Sequence, residues 1–403
     1  MVSGNNPYLA RSPEGRPYIY PPLTAVAFAP TAAVGLRASA VLWLLIEWAA
    51  ILVLFALSLR IAVAEAEPAG RLFGVAFVGL LVLFRAFDSE MMNGQLNAPV
   101  AALCVGALWT YARGRPRLSG WLLAASVSVK LYTAPLALLY LRSVLRDGRG
   151  AEPAAAPPRK NVGRRRDGLR ALAHFVLGAA ALGLGPALVF GARGCAWLQS
   201  YWSNFLGGYA GAGPQAYHAA GQSLYAALLR FLTPTNAAAH AEEAIYVNIL
   251  SLPQSAVWTV HLCLAGAFAV WFLTRRGRTR PLADGLLLLV ASLLFAPIAR
   301  KAAFVLLLPV IAAAFVAIPR RGGGVRRSVV VPWALAAAAL TLTGESLLGR
   351  RAAEWSLALG CWCWASLLLG ALPAWRLVPR RDVGGGRNCK DEEGPVKSTG
   401  EIL

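Results

Sequence analysis

The sequence predicts an all-α, polytopic membrane protein. Three observations carry this reading. First, the chain of 403 residues is 57% hydrophobic and only 14% charged, where a soluble globule carries about 25% charged residues; mean hydropathy is +0.55. Second, apolar runs long enough to cross a bilayer recur along the chain. Third, Lys and Arg gather in short blocks between those runs. This last pattern reads the net charge of +20 as a positive-inside bias and not as a binding stripe, so no nucleic-acid partner is expected.

Taken in order, residues 1–22 are polar, aromatic and Pro-rich, ending Tyr18-Ile19-Tyr20-Pro21-Pro22, with neither the apolar core nor the cleavage site of a signal peptide. Residues 23–35 are apolar but too short to span, and Pro30 and Gly35 close them; they suit a helix lying at the interface. The first full span is expected over 37–60. Others follow over 72–87, 98–112, 169–191, 255–273, 282–299, 302–318, 329–347 and 355–375. With broken spans included, about 9–11 transmembrane helices are expected, with interfacial helices in the exterior loops.

Orientation comes from the basic blocks: Arg113, Arg115 and Arg117; Arg142 through Arg170, centred on Arg164-Arg165-Arg166; Arg275, Arg276, Arg278 and Arg280; Arg320, Arg321, Arg326 and Arg327; Arg376, Arg380 and Arg381. With these on the cytoplasmic face, that face holds most of the 39 Lys and Arg and the spans alternate. Residues 118–141 lie between two such blocks, so they cross an even number of times or not at all. About 24 residues are too few for two full spans. The spacing predicts a pair of half-helices broken near Lys130 and Pro135, with Lys130 at an apex on the exterior face. The alternative is a single span with Lys130 snorkelling.

The exterior side then receives residues 1–36, a loop at 88–97, the Lys130 apex, a long loop at 192–253, the Arg300-Lys301 turn and a loop at 344–354. The long loop is rich in interface-seeking aromatics: Trp197, Tyr201, Trp202, Tyr209, Tyr217 and Tyr225. Within it, 221–232 has the spacing of an interfacial helix. The cytoplasmic linker 147–168 and the tail 382–403 are expected to be disordered. The organisation is thus an exterior segment (1–36), an N-terminal transmembrane module (37–141), a basic linker (142–168), a C-terminal transmembrane module (169–381) and the tail.

Cys104, Cys263, Cys361 and Cys363 lie in apolar runs and read as small core residues, and Cys361-Trp362-Cys363 lacks the spacer of a redox or zinc pair. Two features break the bland pattern. Arg300 and Lys301 occupy a turn on the side that should be poor in cations, which calls for an anion such as a lipid phosphate. An ordinary headgroup contact is the plainer account. Gln95 and Asn97 sit at a helix start beside Asp88 and Glu90, where a helix cap in a solvated loop is the plainer account. With Lys130, these residues make one polar site on one face.

Asn6-Pro7-Tyr8, Tyr20-Pro21-Pro22-Leu23, Gly94-Gln95-Leu96-Asn97, Gly120 with Lys130-Leu131-Tyr132, Gln222-Ser223-Leu224 and Ala296-Pro297-Ile298-Ala299-Arg300-Lys301 follow in that order. Over about residues 4–320 the chain resembles glycosyltransferase family 87, multi-pass enzymes of the GT-C type. The resemblance implies a GT-C-like bundle in the cell inner (cytoplasmic) membrane. It implies an inverting hexosyltransferase that takes its sugar, commonly mannose, from a polyprenyl-phosphate donor to a lipid or glycan acceptor on the exterior face. Lys130, Arg300 and Lys301 are then expected to bind the donor phosphate. Gln95, Asn97, Tyr20, Gln222 and His218 are expected to bind sugar or acceptor. The catalytic base is sought among Asp88, Glu90 and Glu14, with Asp88 preferred for its place beside the Gly-Gln-Leu-Asn motif.

In two places the chain departs from the family pattern. A span and an acidic residue precede the Asn-Pro-Tyr region in the family, so the chain is expected to be N-terminally truncated and to lack the usual base. Ala302-Ala303 stand where an aromatic residue or His often follows the basic pair. No cofactor is required, although Asp88 and Glu90 leave room for a transient divalent metal. The runner-up readings are a transporter or flippase for a lipid-linked glycan and an inactive truncated relative. Besides donor and acceptor, membrane lipids are the expected partners.

Overall fold

A computed structural model describes residues 6–8, 20–62, 69–146, 159–204, 220–238, 244–275, 279–317 and 327–372. Among the described residues every regular element is helical, and the chain is an all-α polytopic membrane protein. Helix α1 (Pro22–Phe28) and a 3-10 turn (Ala29–Val34) form the short apolar segment expected at the interface. Pro22 opens α1, where its missing N–H costs nothing.

The first long helix, α2 (Leu36–Ala62), is about 40 Å long by its residue count and apolar nearly all round. One stripe, Glu47, Ile51, Leu54, Ser58 and Ile61, is buried, while Leu45 and Leu52 on other faces are more than half exposed. Exposed apolar side chains on a long helix are what a bilayer covers. Helix α3 (Ala69–Asn93) runs back. It is longer than expected: the polar stretch holding Asp88 and Glu90 is its last two turns and not a loop.

Next come α4 (Asn97–Ala112) and α5 (Pro116–Val129). The helix stops at Lys130, whose backbone is extended (φ −144°, ψ 115°), and a 3-10 turn (Leu131–Leu136) containing Pro135 leads into α6 (Ala137–Arg146). The two half-helices and their break stand where the spacing predicts them. Helix α7 (Arg159–Phe190) packs closely on α5. A Cβ at Gly120 would stand 2.4 Å from the Ala171 carbonyl oxygen, and one at Gly178 2.7 Å from the Ala124 Cβ. Small residues at these points let the two backbones approach. Residues 159–168, expected to be disordered linker, are the first turns of α7.

The long loop carries α8 (Ala192–Asn204) and α9 (Leu224–Leu232), the latter close to its expected place. The Ser223 hydroxyl caps α9 by accepting from the Ala226 N–H at 3.2 Å. Then follow α10 (Gln254–Thr274), α11 (Pro281–Leu294), a 3-10 turn (Lys301–Leu307), α12 (Leu308–Ala317) and α13 (Arg327–Leu342). A bend of 99° separates α13 from α14. Segment α14 (Glu345–Ala358) occupies what the sequence reads as the loop 344–354; it is helical on either side of a break at Gly349 (φ 74°, ψ 163°), and Ala353, Leu357 and Ala358 supply the buried face of its second part. Helix α15 (Cys361–Ala371) packs back against α13.

Four described helices are long and apolar enough to cross a bilayer, five if the bent pair counts as one span. The expected total is higher because several apolar stretches are short or interrupted, at Lys130 and before Lys301 among them. The main core lies where α2, α3, α4, α11, α12 and α15 meet.

At the end of the bundle away from Lys130, α6 caps α10. Arg142 donates to the Phe272 carbonyl, and Arg146 donates to the carbonyls of Leu273 (2.9 Å) and Thr274. These are the last carbonyls of a helix, which favour cationic donors. Asp284, one turn into α11, pairs with Arg142 at 3.5 Å and with Arg275.

Candidate active site

The site grows from the start of α4. The first backbone N–H groups of a helix have no acceptor within it; in α4 Pro99 carries none, which leaves those of Asn97 and Ala98, and the Leu96 side chain at the cap offers no acceptor. The acceptor comes from the neighbouring helix. Glu90 on α3 accepts from the Ala98 N–H at 2.8 Å through one oxygen and from Asn97 Nδ2 at 2.7 Å through the other. Asn97 is thereby oriented with its carbonyl oxygen outward. That oxygen accepts from Lys130 Nζ at 2.7 Å and from the Tyr132 hydroxyl at 3.3 Å. One buried amide therefore joins a carboxylate on α3 to an ammonium at the break between α5 and α6.

Tyr20 closes the other side. Its ring centroid lies 5.4 Å from Lys130 Nζ, within the range of a cation–π contact, and its hydroxyl donates to Gln95 Oε1 at 3.3 Å. Tyr20 is itself held by the preceding segment. Tyr8 donates its hydroxyl to the Tyr20 carbonyl at 2.7 Å and packs on Tyr201, while Asn6 Nδ2 donates to Ser200 Oγ at 2.8 Å.

Arg300 reaches the same end of the bundle. It is exposed, stands at the head of the 3-10 turn Lys301–Leu307, and lies close enough to Lys130 for the two cations to act on each other. The turn is anchored by Gln222, whose backbone N–H donates to the Ala299 carbonyl at 2.6 Å. The Gln222 side chain is fully buried. Its Nε2 donates to the Leu357 carbonyl at 2.8 Å and its Oε1 accepts from the Trp362 N–H at 3.3 Å. Main-chain groups thus occupy both ends of this amide, and the residue ties the basic turn to the α14–α15 corner. Arg230, also buried, braces the corner by donating to the carbonyls of Ala358 and Gly221, each at 2.7 Å.

Lys301 turns elsewhere. Its charged neighbours are Arg85 and Glu345. Arg85 on α3 donates to Thr343 Oγ1 at 2.9 Å and lies over the Trp362 ring. Asp88 is exposed and its charge acts on Arg85, one turn before it. The expected residues therefore divide into two groups: Glu90, Gln95, Asn97, Tyr20, Lys130 and Arg300 in one, Asp88 and Lys301 with Arg85 in the other. Glu14 and His218 lie outside the described residues. Among the described residues no three His, Cys, Asp or Glu converge as metal ligands do.

Two side chains escape the sequence reading. Glu47 on α2 is 1% exposed, and among the described residues neither of its carboxylate oxygens has a hydrogen-bond partner. One turn before it, Trp43 lies against Gly94, where a Cβ would be 3.4 Å from the indole nitrogen. Arg85 is the second. Glu47 is the one charged residue between Arg37 and Arg60, and Arg85 the one within 72–87, and that is the signal that marks them.

The profile of glycosyltransferase family 87 matches residues 18–300. No curated protein and no solved structure matches the chain. The matched region runs from the residues before Tyr20 to Arg300 and so takes in the whole Lys130 network, and the chain belongs to glycosyltransferase family 87, as a membrane glycosyltransferase.

Proposed function

We propose that the protein transfers a hexose, mannose by preference, from a polyprenyl-phosphate donor to a lipid or glycan acceptor on the exterior face of the cytoplasmic membrane. One observation carries this reading: Lys130, held on the buried Asn97 amide and covered by the Tyr20 ring, lies within electrostatic range of Arg300, 170 positions away in the sequence. Two cations at a membrane surface match a lipid phosphate, both as a ligand and as a leaving group that gains charge in the transition state.

In the reaction the acceptor hydroxyl oxygen forms a bond to the anomeric carbon on the face opposite the phosphate, which inverts that centre. The bond from carbon to the phosphate oxygen breaks, and the phosphate departs with its charge against Lys130 and Arg300. A carboxylate takes the hydroxyl proton. Asp88, exposed in the second group with Arg85 and Lys301, remains the preferred base, while both oxygens of Glu90 are committed to Asn97 and Ala98. Gln95, Asn97 and Tyr20 offer hydrogen bonds to sugar hydroxyls. Lys301, directed towards Arg85, suits a second contact on the lipid phosphate or its neighbour. Gln222 serves the site by holding the turn that presents Arg300.

The test is transfer in reconstituted vesicles holding a polyprenyl-phosphate sugar. Sugar covalently attached to an acceptor lipid is expected, and Lys130→Ala and Arg300→Ala should each reduce it at least about 100-fold, the loss of about 2.7 kcal/mol of transition-state stabilisation. Wild-type turnover in both folded variants would overturn the assignment. Movement of the lipid-linked sugar between leaflets with no covalent product would replace it with a transporter.

A further inference from the structure

Arg85 takes no part in the mechanism above, yet it is a half-buried cation in the apolar run of α3, where a charge is costly. Its contacts lie at the corner where α13, α14 and α15 meet. Nη1 donates to Thr343 Oγ1 at 2.9 Å, and the guanidinium carbon stands 5.6 Å from the centroid of the Trp362 ring, within the range of a cation–π contact. The main chain comes so near that a Cβ at Gly344 would meet Arg85 Nε at 3.2 Å. Thr343 is buried and its hydroxyl is saturated. It accepts from Arg85 and, at 3.2 Å, from Trp362 Nε1, and it donates to the Ala339 carbonyl at 2.8 Å. One hydroxyl therefore fixes both the guanidinium and the indole.

Trp362 in turn meets the basic turn on both sides. Its backbone N–H donates to Gln222 Oε1 at 3.3 Å, and the Gln222 N–H donates to the Ala299 carbonyl at 2.6 Å, immediately before Arg300. Its fully buried ring packs edge-on against Phe304, with centroids 5.0 Å apart, three residues after Lys301. The Arg300-Lys301 pair is thus pinned at 299 and at 304, and both pins rest on Trp362. We propose that Arg85 is a positioning residue: by clamping Thr343 and Trp362 it fixes the corner against which the basic turn packs, and so holds Arg300 where the lipid phosphate departs. The planar guanidinium lies over a ring and donates to a hydroxyl at once, a combination that the point charge of an ammonium does not reproduce. The inference rests on the phosphate-binding reading of Arg300.

The experiment is a double-mutant cycle between Arg85 and Arg300, read as kcat/KM for transfer from a polyprenyl-phosphate sugar in vesicles of fixed lipid composition. Arg85→Gln and Arg85→Lys should each lower kcat/KM about 10-fold, the effect of a displaced catalytic cation. In an Arg300→Ala background the same substitutions should change it by less than about 2-fold, because the group they position is gone. Thr343→Val keeps the cation and removes the shared hydroxyl. It should reproduce both results and is the variant least prone to misfolding. Unfolding midpoints in detergent identify the folded variants. A merely structural role would cost as much in the Arg300→Ala background as in the wild type. Equal losses in the two backgrounds, or wild-type turnover in folded Arg85→Gln and Thr343→Val, overturn the inference. Full activity in Arg85→Lys overturns it as well, because charge alone would then suffice. If the wild type performs no transfer at all, the proposed function fails and takes this inference with it.

Discussion

Replacing Asn97 by Leu keeps the size of the side chain and removes both ends of its amide. Three hydrogen bonds disappear: to Glu90 (2.7 Å), from Lys130 (2.7 Å) and from Tyr132 (3.3 Å). The first two involve ionised groups and are worth about 1.5–3 kcal/mol each, and the third about 1 kcal/mol. Glu90 keeps its bond to the Ala98 N–H, and Glu90 and Lys130 can move toward each other across the gap. That pairing offsets part of the loss, which leaves about 3 kcal/mol of destabilisation. Mixed-micelle unfolding of the purified protein measures it directly. Asn97→Asp provides the contrast: it restores an acceptor for Lys130 but sets a second carboxylate against Glu90, so it should also be destabilised while keeping more transfer activity than Asn97→Leu. An Asn97→Leu protein with wild-type stability, within about 0.5 kcal/mol, and wild-type kinetics would refute the view that this amide couples α3 to the break at Lys130.

Two further outcomes follow from packing and charge. Gly120→Val should be destabilised by about 3 kcal/mol or more, because its Cβ would fall 2.4 Å from the Ala171 carbonyl oxygen and the backbone of α7 would have to move; unchanged unfolding would show that α5 and α7 do not touch there. Asp284→Asn removes the carboxylate paired with the buried Arg142 and with Arg275 and should cost about 3 kcal/mol, the penalty of breaking a buried ion pair from one side. An Arg142→Leu, Asp284→Leu double variant should recover part of that loss in the same unfolding assay.

The spans were legible because apolar runs and basic blocks alternate, and because lipid leaves a chain few structures besides helices. The break at Lys130 was legible from the same alternation together with Pro135. The end of α3 was not. The run from Asp88 to Asn93 is polar because it emerges at the end of the bundle, and a hydropathy window cannot tell an emerging helix from a loop. Helix α14 was hidden in the same way, its buried face of Ala353, Leu357 and Ala358 too short to outweigh two arginines and two glycines. Motif order singled out Asn97, Lys130 and Arg300, but not which atoms meet. Nothing in the spacing says that Gln222 spends its amide on main-chain groups or that Lys301 turns toward Arg85. Glu47 does not stand out in the sequence because one carboxylate scarcely alters the mean of a 27-residue apolar helix. Only its place on the buried stripe, below Trp43, gives it meaning.

The cap that α3 lends to α4 bears on biosynthesis. The first turn of α4 has its donors satisfied by Glu90, a residue that leaves the ribosome earlier but belongs to another span. That turn is complete only once the preceding helix has been inserted and docked. The polar seat at Asn97 thus forms after its scaffold, and a lesion that delays pairing of these two spans would leave the Asn97–Lys130 contact unmade while the spans themselves are in place.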